Sequence, residues 1–126
     1  MNPQTRTVLD RAVARARDGR LTMQSVLWAL AASTLYVPSG ADPGPDRGGM
    51  TPLYFTKEST QMLATFTSPA AAASVSATAP FLVTFTGLEL IGTMPPTDGL
   101  VVNPGTPLGF DIAPEGLAAF RQELGL

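Results

Sequence analysis

The spacing of apolar positions changes several times along the chain, and each change marks a predicted element. Leu9, Val13 and Ala16 recur at i, i+4 and i+7, which places them on one face of a helix. Asn2 and Pro3 offer an N-cap and a proline at the first helical position, and Gly19 offers a stop. A first amphipathic helix is therefore expected within residues 1–20, outside the main core of a domain spanning residues 21–126. Thr22 can cap a second helix, with Leu21 and Val26 as a hydrophobic staple and Met23, Val26, Leu27, Leu30 and Ala31 on its apolar face. Trp28 lies on its flank. After Ala32 the pattern shortens to Thr34-Leu35-Tyr36-Val37, a β-prone run closed by Pro38.

Residues 38–52 hold four prolines and four glycines in fifteen positions, a composition that cannot form a ladder and predicts an exposed loop, expected to be mobile rather than functional. Leu53-Tyr54-Phe55-Thr56 and Leu63-Ala64-Thr65-Phe66-Thr67 flank a polar segment, the pattern of an antiparallel hairpin. Ser68 and Pro69 then open an alanine-rich helix predicted over residues 70–77. Thr65-Phe66-Thr67-Ser68 recurs nineteen residues later as Thr84-Phe85-Thr86-Gly87, preceded by Phe81-Leu82-Val83. Thr86 and Glu89 are spaced as a capping box for a short helix that Pro95 and Pro96 end. Leu100-Val101-Val102, the turn Asn103-Pro104-Gly105 and a strand over residues 108–112 form a second hairpin. Pro114 opens a last helix, with Leu117, Phe120 and Leu124 on one face and Gly125 at its end. The order ααβββαβαββα predicts a single α+β domain with a mixed sheet and helices packed on it.

Composition narrows the chemistry. At 126 residues and 13.1 kDa, with 44% apolar and 14% charged residues, the chain has one domain's length and enough apolar content to fold. It contains no cysteine and no histidine, which removes disulfides, thiolate nucleophiles, imidazole bases and the usual zinc and haem ligands. No cofactor and no metal are expected. A net charge of −2 argues against nucleic acid as a partner. The charge is unevenly spread: the first twenty residues carry five arginines against Asp10 and Asp18, a net +3, and the rest carries −5. A basic head before an apolar run imitates a secretory signal. However, the head is long and contains two aspartates, and Thr22, Gln24 and Ser25 dilute the run, so a soluble cytoplasmic protein without membrane contact is expected.

Of the remaining nucleophiles, Ser68 paired with Lys57, the only lysine, would need that lysine to turn back over its own hairpin, whereas capping alone explains Ser68. The other carboxylates, Asp42 and Asp46 among them, lack the spacing of paired acids or of a calcium loop. No catalytic residue is assigned. Three sets of residues are binding candidates. Arg11 and Arg15, at i and i+4 on the first helix, could dock on an acidic protein or on the acidic body of a second copy. Thr67, Ser68 and Thr86 stand at two helix starts whose N–H groups would share one sheet edge if the two copies ran parallel, and such an edge can hold an anion. Asn103 flanks the conspicuous turn.

The segments WALAASTLYVPS at positions 28–39, ATFTSPAAAA at 64–73 and GLVVNPGTPLGFDIAPEGLAAF at 99–120 together resemble the SseB N-terminal domain family, over about residues 21–122. Their order is more telling than any one of them. The resemblance implies a small α+β domain without established catalysis. The family's name derives from an enhanced-serine-sensitivity phenotype, and a link to type III secretion accompanies some descriptions. Phe66, Thr67, Ser68, Asn103, Pro104 and Gly105 match its characteristic positions, none of them implied to be catalytic. The alanines at 70–73 and the long loop at 38–52 depart from the pattern, and put in doubt any charged helix face the family uses there. The function expected is that of a non-catalytic bacterial protein-interaction module, with self-association a further expectation. The alternatives are a ligand-binding or enzymatic domain using the helix starts at Ser68 and Thr86, and a secretion-associated protein.

Overall fold

Thr7 closes the first described helix from both directions. Its hydroxyl accepts the Asp10 N–H at 3.1 Å and its own N–H donates to the Asp10 carboxylate at 3.0 Å, a capping box that satisfies two otherwise orphan donors. The computed structural model describes residues 7–19 and 21–126; the Asn2-Pro3 start expected from sequence lies outside them. Helix α1 spans Val8–Arg17 and ends before Gly19 at φ +74°. Helix α2, Met23–Ala32, is capped by Thr22 as expected. Strands β1 (Thr34–Ser39), β2 (Tyr54–Lys57) and β3 (Thr60–Thr65) follow, then a 3-10 helix (Ala71–Val75), β4 (Phe81–Thr86), α3 (Gly87–Thr93), β5 (Gly99–Val102), β6 (Phe110–Ile112) and α4 (Pro114–Leu124). The α+β class and element order agree with the sequence reading. The exception is the alanine run, which forms five residues of 3-10 helix rather than eight of α-helix: only Ala72 is buried there, and such a stretch has no apolar stripe to hold an α-helix against the sheet.

The strands make two ladders. Strand β1 pairs antiparallel with β4, and a four-stranded sheet runs β2-β3-β5-β6 with β3 and β5 parallel and the outer pairs antiparallel. Bridges from Tyr36 to Phe66 and from Ser39 to Pro52 stitch the ladders together. The β2-β3 turn places Glu58 and Ser59 at φ +49° and +70°, the left-handed pair of a tight hairpin. In the β5-β6 hairpin, Asn103 N–H donates to the Thr65 carbonyl, Gly105 sits at φ +78°, and Thr106 N–H returns to the Asn103 carbonyl, the proline-glycine turn expected from the sequence.

Alternation along the strands separates two cores. Leu35, Val37, Leu63, Leu100, Val102 and Ile112 face the helices and pack with Leu9, Val13, Val26, Leu30, Ile91, Leu117 and Phe120. The helix expected to stand outside the core thus contributes to it. On the opposite face Ala64 and Phe66 pack under Ala72, with Tyr36, Leu53, Val75 and Leu82 around them. Trp28 meets Phe120 edge-on, ring centroids 5.5 Å apart. No described helix is long and apolar enough to cross a membrane.

The loop after β1 is anchored at several points. Asp42 and Asp46 side chains accept the Gly44 and Gly48 N–H groups, and the Ser39 hydroxyl accepts the Thr51 N–H. Arg47 stacks 4.4 Å from the Phe85 ring centroid and pairs with Glu89 at 3.3 Å. Glu89 therefore completes only half of a capping box: its N–H donates to the Thr86 hydroxyl while its carboxylate turns to the loop.

Candidate functional site

Two of the candidate residues meet in the interior. The parallel β3-β5 pairing sets the chain beyond Thr65 beside the start of the Asn103 turn, and α1 lies over that junction. The Asn103 side-chain oxygen accepts the Thr67 N–H at 3.0 Å, and its amide donates to Asp10 at 3.2 Å. The Thr67 hydroxyl donates to the same Asp10 oxygen at 2.8 Å. All three residues are buried, and among the described residues no buried side-chain polar atom lacks a partner. Asn103 holds φ +50°, a left-handed conformation that asparagine tolerates better than most residues. Thr67 and Asn103 thus fasten the amino-terminal helix to two strand ends. Asp10 is the member that sequence reasoning missed as a partner of theirs. The Thr7-x-x-Asp10 spacing signals its capping role, but nothing local signals its contact with a turn 93 residues away.

Ser68 and Thr86 do stand at the ends of strands running the same way, because β3 and β4 flank β1 and each is antiparallel to it. Each hydroxyl nevertheless serves its own segment: Ser68 accepts the Ala71 N–H at 3.1 Å, and Thr86 accepts the Glu89 N–H at 3.0 Å. The segments they open are five and seven residues long, so the dipole at either start is weak. Cavities on the described surface lie elsewhere. One of about 240 Å³ sits between α1 and α2, lined by Val13, Ala16, Arg17, Met23, Val26 and Phe110. Another, of about 170 Å³, lies on the face of the four-stranded sheet opposite the α-helices, beside Phe55, Met62, Val101 and Pro104. Lys57 and Asp111 form an ion pair at its edge, and the hydrogen bond and charge of Asp111 push the Lys57 ammonium above its ordinary pKa. Lys57 is thus engaged with Asp111 rather than with Ser68. Among the described residues no group of three acidic side chains could hold a metal ion.

Arg11 and Arg15 are exposed on α1, on the side away from Leu9 and Val13, and neither forms an ion pair among the described residues. Val8, 74% exposed, completes an outward stripe at i, i+3 and i+7. Arg17, farther along, donates to the Gly109 carbonyl.

Compared with known protein families, the chain matches the SseB protein N-terminal domain over residues 9–119. No curated protein and no solved structure matches it. The match begins inside α1, so the helix that carries Asp10, Arg11 and Arg15 falls within it.

Proposed function

We infer that this chain, which belongs to the SseB protein N-terminal domain family, acts in the bacterial cytoplasm as a non-catalytic domain that binds another protein through the outer face of α1. Helix α1 carries this reading. Asp10 is turned into the interior by Thr67 and Asn103, and Arg11 and Arg15 form no ion pair among the described residues, so the outward stripe keeps its positive charge. Such a stripe beside an exposed apolar side chain suits an acidic protein surface, where charge complementarity raises the rate of encounter and fixes the register. The remainder of the chain is net acidic and offers it no competing nucleic-acid surface.

The test is an affinity capture from native cytosol with the wild-type domain and an Arg11→Glu, Arg15→Glu variant, followed by binding of each captured protein at low and high salt. The expected result is a partner lost by the variant, whose wild-type affinity falls with salt while the thermal midpoints of both proteins agree. Identical partner sets, or none, would refute docking through this face. Turnover of a metabolite that vanishes in Ser68→Ala would refute the non-catalytic part.

A further inference from the structure

The outer edge of β4 is built differently from the other two free edges. Tyr36 N–H donates to the Phe66 carbonyl at 2.8 Å and Phe66 N–H returns to Tyr36 at 2.9 Å, while the Pro38 carbonyl accepts the Leu53 N–H at 3.0 Å. The main-chain groups of Tyr36 and Pro38 thus point away from β4. These two residues stand opposite Thr84 and Leu82. Antiparallel ladders alternate bonded and non-bonded pairs, so Leu82 and Thr84 direct their own N–H and C=O groups outward, and among the described residues nothing meets them.

Sheet edges normally carry a device against pairing with a further strand, such as a charge, a proline, a bulge or extreme shortness. Strand β2 carries exposed Lys57, and β6 is three residues long and contains Asp111. Strand β4 reads Phe-Leu-Val-Thr-Phe-Thr over six residues, with no charge and no proline, and Phe81 is 38% exposed. It is the edge in this fold that is long and has no charged residue of its own; Arg47 of the loop lies over Phe85 on one face but leaves the Leu82 and Thr84 main-chain groups unbonded among the described residues.

We propose that β4 pairs antiparallel with β4 of a second copy of this chain, forming a sheet continuous across a two-fold axis at Val83. The strand is self-complementary in that register. Leu82 of one copy faces Thr84 of the other and each pair exchanges two main-chain hydrogen bonds, four in all by symmetry. Phe81 stands opposite Phe85 of the second copy on one face, the kind of aromatic cross-strand pair that stabilises a ladder, and no like charges meet. One strand pair buries less than a standard interface, so the dimer is weak and concentration-dependent. This surface is separate from the α1 stripe and does not depend on it.

The experiment is residue-resolved hydrogen exchange, together with sedimentation velocity, on the intact chain from about 10 μM to about 1 mM, a range suited to weak association. The expected result is a monomer-dimer equilibrium in which the Leu82 and Thr84 amides slow by about tenfold or more at the top of the range. The Thr84→Lys variant should stay monomeric with an unchanged circular dichroism spectrum, and Arg11→Glu, Arg15→Glu should dimerise like the wild type. A chain that stays monomeric throughout overturns the proposal, as does a dimer whose Leu82 and Thr84 exchange is independent of concentration, or one that survives folded Thr84→Lys. If Thr84→Lys fails to fold, wild-type exchange at these two amides decides alone.

Discussion

Asn103 and Asp10 are joined by a buried hydrogen bond of 3.2 Å from amide to carboxylate. Asp10 also accepts from Thr7 N–H and the Thr67 hydroxyl, so one carboxylate both closes its own helix and ties it to a turn 93 residues on. Asp10→Ala should lower stability by about 1–3 kcal/mol, through the lost cap and the loss of the acceptor that Thr67 and Asn103 share, although those two still bond each other. Asn103→Ala should cost about 1–3 kcal/mol for the unpaired Thr67 N–H, and more for placing alanine in the left-handed region. Urea denaturation of both single variants and the double variant checks this. The coupling energy should be about 0.5–3 kcal/mol, since the residues share one network.

Gly87 begins α3 against the backbone of α2. A Cβ placed there would lie 1.8 Å from the Leu30 carbonyl oxygen and 2.7 Å from its carbon, and neither can swing aside as a side chain would. Gly87→Ala should therefore separate the two helices and cost about 1–3 kcal/mol or more. Gly92, in the same helix, meets only a Leu126 methyl at 3.5 Å. Gly92→Ala should raise stability by about 0.5–1 kcal/mol through helix propensity. Opposite shifts in thermal midpoint within one short helix are the expected readout.

Phe66 is fully buried beneath Ala72, in a cluster distinct from the one under the helices. Phe66→Ala should cost about 3–5 kcal/mol. Near-ultraviolet circular dichroism and the denaturation midpoint would show the loss.

Stability should decline on the alkaline side. Burial, followed by the nearby charge of Asp98, raises the Tyr54 phenol above its ordinary value of 10.0, and Asp111 raises Lys57 above 10.5. In both cases the folded state holds its proton more tightly than the unfolded chain. The contribution is fully present below the unfolded pKa and is lost as pH rises through the folded one. Unfolding free energy should therefore hold steady from these two groups below about pH 10 and fall above it. Tyr54→Phe should flatten part of that decline in a pH series of denaturation curves.

Local signals carried most of the architecture. Thr22, Thr86, Pro114 and Gly125 mark helix ends through chemistry confined to one turn, and the turn at Asn103-Pro104-Gly105 is set by the conformations its own residues favour. What escaped the sequence depends on distant contact. The 3-10 helix replaces an alanine α-helix because packing over Phe66, not propensity, decides its shape. Loop residues 40–50 show only the local bonds of Asp42 and Asp46 in their own composition; Arg47 finds Phe85 and Glu89 38 and 42 positions on. Of the candidate binding residues, Arg11 and Arg15 lie on the surface, whereas Thr67 and Asn103 are buried in a tie that only the tertiary structure reveals.

That tie bears on how the polypeptide reaches its native state during synthesis. The carboxylate of Asp10 has no access to its Asn103 donor until the β5-β6 turn has left the ribosome. Helix α1 can pack on α2 early, since Val26 and Leu30 share its cluster, but its buried carboxylate gains its full set of donors only once the β5-β6 turn has been made. The last native contacts of this helix are thus polar ones, made after its apolar ones.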